Sequence, residues 1–397
     1  MFEQDEARDI RLRRFRSSET VYNEASVWKH GAATKVTMMA ATSFLLVWWW
    51  LSVVLQFPFM GSDVAGYWAD SLAWRTPFNP DHVPGYPLLI AFLRFLAPGS
   101  VEPIVLFWAV TFCAHIAGAL AIYWCVASRA DERVGYLSVL FFLLWPFVGT
   151  TYVAFPFADS VAVALIASGF ALLLSERFRT GAILVGLAMV VHKASWIFAI
   201  LLLVAGIITH RRRFPWTAAV IMAFPLGLLW VSGMVANGYG PFWLLSVSLP
   251  IQFASKSYLP LFDGLVGTVL KGGTKDLSKG IVLWTHAAFL IWLAVAFGRG
   301  RDRSTKWWAL AIVGGLLFLY TTLNQDIIWA AVRYSKLAAL PFGFYVGTRP
   351  RIAATLTRSK WVVAGLAVVL LVTQLAFCWY MAEIKFTDDH TPAILLP

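Results

Sequence analysis

The sequence predicts an all-α polytopic membrane protein. Three observations carry that reading. The 397 residues are 59% hydrophobic and only 13% charged. Apolar runs of about 18 residues or more recur along the chain, the length a membrane-crossing helix needs. The basic residues fall in short loops between those runs, as topology signals do. A soluble protein of this size could not cover so much apolar surface. The formal charge of +11 is spread over these loops, so no nucleic-acid partner is read from it. Cys113, Cys125 and Cys378 lie inside apolar runs without metal-ligand spacing. They are read as buried membrane thiols, and no disulfide is assigned.

Residues 1–35 are polar and carry seven basic side chains from Arg8 to Lys35. They form a basic cytoplasmic tail, either a helix lying on anionic lipid or a disordered segment. The tail does not resemble a cleaved signal peptide, so the first apolar run is expected to be a retained anchor. A single transmembrane domain then fills residues 36–383, with about eleven spans expected from run length. Span 1 covers residues 36–57 and the first outer loop residues 61–102. The later part of that loop, residues 86–96, is apolar but too short to cross, so it is read as an interfacial helix ending at Pro98-Gly99.

Spans 2, 3 and 4 fall at residues 103–126, 134–148 and 157–174, with basic turns at Ser128–Arg133 and Ser175–Thr180. Residues 181–209 are too short for two full crossings, which need about 40 residues, yet basic loops flank both ends. Two short helices, spans 5 and 6, meeting at His192-Lys193 satisfy both facts. Backbone broken at that depth is tolerated only when lined by protein or water. Span 7 follows at residues 216–235, a long outer loop at 237–280, and spans 8 to 11 at 281–297, 307–323, 328–346 and 361–380. Residues 384–397 are an outer tail. Most Lys and Arg residues lie in the proposed inner segments, which puts the N-terminus in the cytoplasm and the C-terminus outside. No fixed-period repeat is present.

The first outer loop, GSDVAGYWADSLAWRTPFNPDHVPGYP, concentrates acids, aromatics and prolines in a chain poor in acids. With the topology above, one face also collects Asp159, His192, Lys193, Asn324, Gln325, Asp326, Arg333 and Lys336. Ionisable groups at membrane depth are costly unless paired or hydrated, so they are functional candidates. Asp159–Lys193 and Asp326–Arg333 can equally be read as structural ion pairs. Three functions compete. A glycosyltransferase using a lipid-linked sugar needs a carboxylate base, cations for a lipid phosphate and an apolar groove. A transporter, or a flippase of a glycolipid or small solute, calls for broken helices in two similar halves, and only one broken pair is visible. A structural membrane protein leaves the acidic, aromatic outer loop unexplained.

At these residues the chain resembles the GT-C superfamily of integral-membrane glycosyltransferases, mannosyltransferase-like members included. The resemblance rests on Asp63 followed by Tyr67-Trp68, on GYPLLI at Gly85–Ile90, and on Asp159 opening span 4. It rests further on Lys193 between short spans, and on Arg333-Tyr334 before Pro341. It covers roughly residues 35–350 as architecture. The chain departs from its paired-acid, D-x-D and soluble-domain variants, so no subfamily is assigned. No tightly bound metal is expected either, a weakly bound divalent cation being left open.

The resemblance implies a GT-C-like helical bundle with short interfacial helices in the first outer loop. It implies a polyprenyl-phosphate-linked sugar as donor, a glycan, lipid or protein as acceptor, and inversion at the anomeric carbon. The site would face outward from a bacterial inner membrane. Asp63 is the expected general base, and Lys193 and Arg333 the cations for the leaving phosphate. Asp159 would position acceptor or sugar, with Tyr86 and Tyr334 also lining the substrate. His82 and His192 are candidates for polar contacts, each equally readable as a hydrogen-bonded structural histidine. Tyr67 and Trp68 either stack on sugar or anchor the loop at the interface.

Overall fold

The computed structural model describes residues 31–54, 62–72, 83–97, 101–145, 158–211, 214–238, 240, 274–300, 303–322, 333–358, 361, 363–373 and 375. The tail before residue 31, most of the loop at 237–280, Cys378 and the tail at 384–397 lie outside the described residues. Helix α1 (Ala32–Trp49) runs on into a π turn at Trp50–Val54. The first loop holds α2 (Ser62–Leu72) and α3 (Gly85–Leu96). Then come α4 (Pro103–Ala127), α5 (Glu132–Leu143), α6 (Ala158–Leu174), α7 (Phe178–Val191) and α8 (Ser195–His210). The chain continues through α9 (Trp216–Asn237), α10 (Thr274–Gly298) and α11 (Arg303–Thr322). It closes with a 3₁₀ turn at Ser335–Ala338, α12 (Ala339–Gly347), α13 (Pro350–Arg358) and α14 (Val363–Thr373). No strand occurs among the described residues.

The chain is an integral membrane protein by the character of these helices. Among the described residues three helices, Ala32–Val54, Ile104–Ala127 and Trp216–Val235, are each long and apolar enough to cross a bilayer alone. Shorter apolar helices accompany them. Helix α9 exposes Trp216, Val220, Phe224, Leu228, Val231 and Val235. They recur at helical spacing along one face, an outward apolar stripe suited to lipid.

Helix α6 is the axis of the bundle. Thirteen of its residues are buried, and many are Ala, Ser or Gly. Small side chains let helix backbones approach closely in a membrane protein. A Cβ on Gly169 of α6 would lie 3.0 Å from the Gly181 carbonyl oxygen of α7, and one on Gly181 would lie 2.9 Å from that of Gly169. Helix α6 packs against α4 and α7; α7 also packs on α9, and α5 joins α4 to α12. Helix α8 leans on α11, which leans on α10. Helix α3 reaches α4 and α7.

Several boundaries differ from the sequence reading. Helix α10 begins at Thr274, inside the expected loop, because TKDLSKG is polar but not helix-breaking. Residues 350–358, expected as loop, form α13, with Pro350 at a first-turn position it tolerates well. The described part of span 10 is not one continuous α-helix. It tightens into the 3₁₀ turn, where Ser335, Lys336, Leu337 and Ala338 are all buried. Cys125 is buried as expected, but Cys113 is exposed on the outside of α4.

Gly85 opens α3 against α7, where a Cβ would collide with the Val190 carbonyl oxygen and lie 2.7 Å from its carbonyl carbon. Gly85→Ala should therefore cost about 1–3 kcal/mol, as overpacking does. Gly227→Ala, in the α9 interior with open space around it, should leave stability unchanged or raised. Thermal unfolding of the two variants in detergent, followed by size-exclusion chromatography, checks the contrast.

Candidate functional site

The site forms where α7 stops. His192 leaves helical geometry with φ −150° and ψ 132°, and α8 restarts at Ser195. The break at His192-Lys193 is thus present, and it turns the His192 ring toward the first turn of α6. The Asp159 side chain there is only 1% exposed. Its Oδ2 accepts a hydrogen bond from Arg333 Nη1 at 2.9 Å. His192 Nε2 lies 3.5 Å from Asp159 Oδ1. One buried carboxylate is thus shared between a guanidinium from residue 333 and an imidazole from the break.

The other imidazole nitrogen is also fixed. His192 Nδ1 lies 2.8 Å from the Tyr334 hydroxyl, and the Ala194 backbone N–H donates to it at 3.3 Å. The backbone donor makes Nδ1 an acceptor, so the hydrogen bonds assign the ring proton to Nε2, facing Asp159. The Tyr334 hydroxyl also meets Ser195 Oγ at 3.3 Å. Tyr334 is fully buried and stacks on Phe198, with ring centroids 5.5 Å apart. Arg333 and His192 remain 17% and 16% exposed, so the pair opens outward from a sealed base.

Four consecutive residues at 333–336 reach different parts of the bundle. Arg333 goes to α6 and Tyr334 to the break. Ser335 hydrogen-bonds Tyr320 of α11, whose hydroxyl lies 2.8 Å from His286 Nδ1 of α10. Lys336, fully buried, places Nζ 5.1 Å from the Phe142 ring of α5. Such a contact is attractive when desolvated. The change from α-helical geometry at 333–334 to the 3₁₀ turn at Ser335–Ala338 contributes to this dispersal, because the rotation per residue differs between the two.

The floor is built from the first loop. Tyr86 of α3 is fully buried, packs edge-on to Tyr67 of α2 at 4.9 Å and hydrogen-bonds Thr111 of α4. Ser160, beside Asp159, donates to Thr111 Oγ1 at 3.4 Å. Tyr67 and Tyr86 therefore shape the floor and present no open ring face. Trp68 is partly buried, with the Arg94 guanidinium 5.7 Å from its ring.

The structure brings together Asp159, His192, Arg333 and Tyr334, with Lys193 half-buried on the same break. Of the ion pairs read from sequence, Asp159 is found on Arg333 rather than on Lys193, and the Asp326–Arg333 reading falls outside the described residues. Asp63 falls in the first turn of α2, but its side chain lies outside the described residues. His82, Asp81, Asn324, Gln325 and Asp326 do as well. Sequence reasoning missed Ser195, which reads as an ordinary helix start. It named Lys336 among the ionisable candidates without a contact, and it did not single out His286 or Tyr320. No group of three or more His, Cys, Asp or Glu side chains that could hold a metal occurs among the described residues.

No family model matches the sequence, and no curated protein matches it. Solved structures do. The crystal structure of ArnT from Cupriavidus metallidurans bound to undecaprenyl phosphate matches with a TM-score of 0.55 at 14% identity, covering 89% of this chain and 76% of that one. Its apo form matches with a TM-score of 0.51 at 15% identity, over the same shares. The chain shares the fold of these ArnT structures. At that identity the likeness speaks for the fold alone.

Removing one partner of a buried ion pair costs about 3–5 kcal/mol, because the other charge is left uncompensated. Asp159→Asn should lower the melting temperature sharply, and Arg333→Gln should lower it too. The double variant Asp159→Asn, Arg333→Gln should recover much of the loss. A double-mutant cycle on purified protein reads the coupling, and strictly additive losses would contradict the shared-carboxylate geometry.

Proposed function

We propose that the protein is a membrane glycosyltransferase. It moves a sugar from a polyprenyl-phosphate donor to a glycan, lipid or protein acceptor. The observation that carries the reading is the Asp159–Arg333 ion pair, lying beside a helix break in a GT-C fold. ArnT of the same fold has been crystallised with undecaprenyl phosphate, a ligand with the anionic head and apolar tail expected of the donor.

The chemistry follows from the charges. The acceptor hydroxyl gives its proton to the Asp63 carboxylate as its oxygen attacks the anomeric carbon. The bond from that carbon to the phosphate oxygen breaks, inverting the centre and leaving a polyprenyl phosphate. The leaving phosphate needs no proton, but its growing charge needs cations. Arg333 offers a planar fork of N–H donors and Lys193 a point charge. Asp159 holds the guanidinium in place before the donor arrives, and Tyr334 and His192 hold Asp159's surroundings. Tyr67 and Trp68 lie on α2, the helix that carries Asp63, and Tyr67 packs that helix on Tyr86 of α3. The sugar is of the hexose or mannose type by resemblance. The site faces outward, with the N-terminus in the cytoplasm, by the distribution of basic loops, and a bacterial inner membrane is the setting that the resemblance implies.

The direct test is transfer in membranes from a set of polyprenyl-phosphate sugars, with mass spectrometry of lipid and glycan products. Asp63→Asn should lower turnover by about 10²-fold or more while the protein stays folded. Arg333→Ala and Lys193→Ala should weaken donor use, read as a raised KM for the lipid donor. Labelled sugar accumulating inside proteoliposomes, without covalent transfer, would replace the enzyme with a transporter.

Sidedness has its own test. Single cysteines at Ser62 and Lys271 should react with an impermeant thiol reagent added from outside. A cysteine at Thr305 should not, and the reverse pattern would invert the orientation.

A further inference from the structure

We infer that His192 takes up a proton when the lipid-phosphate donor binds, and so keeps Asp159 paired while Arg333 turns to the phosphate. The inference rests on the donor reading above and adds to it a charge-balancing role for a residue outside the reaction itself.

The geometry sets the problem. Arg333 is the only cation within 4.0 Å of the Asp159 carboxylate among the described residues, apart from His192 if charged. That carboxylate is 1% exposed, so water cannot replace a lost partner. An anionic phosphate arriving at Arg333 competes for the same guanidinium. A buried carboxylate stripped of its counter-charge costs several kcal/mol.

His192 sits where the replacement must come from. Its Nε2 faces Asp159 Oδ1 at 3.5 Å, and that oxygen accepts no hydrogen bond among the described residues. A charged N–H···O⁻ contact closes to about 2.7–2.9 Å, so a movement below 1 Å completes it. The ring can gain its proton only at Nδ1, which now accepts from Ala194 N–H and faces the Tyr334 hydroxyl. The new Nδ1–H then donates to the Tyr334 oxygen, and the Tyr334 hydroxyl turns to donate to Ser195 Oγ at 3.3 Å. Either of those two hydroxyls can be the donor, so that part of the chain reverses by rotating O–H bonds, while the Ala194 N–H, 3.3 Å from Nδ1, gives up its acceptor. The proton comes from solvent, since His192 is 16% exposed, and returns there when the phosphate leaves.

The described titratable or charged groups around the ring are few. They are Asp159 on α6, Arg333 and Tyr334 before the 3₁₀ turn, Lys193 beside it on the break, and Tyr86 on α3. Of these, Asp159 stabilises an imidazolium by its charge and Tyr334 by accepting from its Nδ1–H. Arg333 and Lys193 oppose it, and Arg333 opposes it less once neutralised by phosphate. Donor binding therefore favours protonation, and protonation favours donor binding by the same factor.

The test uses the full-length protein in nanodiscs and undecaprenyl methyl phosphate, a phosphodiester with one charge that does not itself titrate near neutral pH. Calorimetric titrations in buffers of differing ionisation enthalpy read the protons taken up. Wild type should take up a fraction of one proton, rising toward one above the free histidine's pKa. Its affinity should fall by up to about tenfold per pH unit there. His192→Gln keeps an N–H donor toward Asp159 but cannot titrate; it should bind with no uptake and a flat pH profile. Tyr334→Phe keeps the stack on Phe198 and removes the acceptor for Nδ1–H, so uptake should shift to lower pH. Wild-type binding without proton uptake overturns the inference and leaves the donor reading standing, as does unchanged uptake in His192→Gln. Failure of wild type to bind the probe at any pH removes the donor reading and this inference with it.

Discussion

A buried carboxylate decides how this bundle is assembled at one end. Asp159 sits in the first turn of the most enclosed helix and is nearly inaccessible to water. It must have a cation, and the cation comes from residue 333 far along the chain. That demand fixes where the late segment enters. Once Arg333 is held, Tyr334 falls on the break between α7 and α8, Ser335 on α11 and Lys336 on the α5 ring face. Four side chains in a row thus tie several helices together. The 3₁₀ turn that carries the last two of them is buried throughout.

The rest of the architecture serves the same end. Glycines at 169 and 181 bring α6 and α7 into near backbone contact, which delivers the end of α7 to Asp159. Gly85 lets α3 press on the Val190 carbonyl, two residues before His192. Helix α9 closes the other side, with Leu229 buried against Val83, Val190 and Trp196. The Trp196 indole N–H donates to the Met189 carbonyl oxygen at 2.9 Å, satisfying a carbonyl in the last turn of α7. The break is therefore a supported piece of backbone, with its polar groups paired to side chains and neighbouring turns.

Much of this was legible in the sequence. The length of the run at 181–209 demanded a break, and His192-Lys193 marked its place. Asp159 marked the start of α6, and GYPLLI marked a short helix. The pairing of Arg333 with Asp159 was not legible, because the two lie far apart in sequence and tertiary packing alone brings them together. Helix α13 and the early start of α10 escaped because both are polar stretches, invisible to a reading based on apolar runs. Ser195 and Tyr320 escaped because a hydroxyl in an apolar helix carries no pattern until its partner is known.

The central claim is that the Asp159, His192, Arg333 and Tyr334 cluster is where a lipid phosphate binds. An electron cryomicroscopy map of the protein in nanodiscs with undecaprenyl phosphate tests it most directly. The account predicts phosphate density within hydrogen-bonding distance of Arg333, with the prenyl chain leading away between helices. Phosphate density at the opposite end of the bundle, by the basic turns at Ser128–Arg133 and Ser175–Thr180, would contradict it.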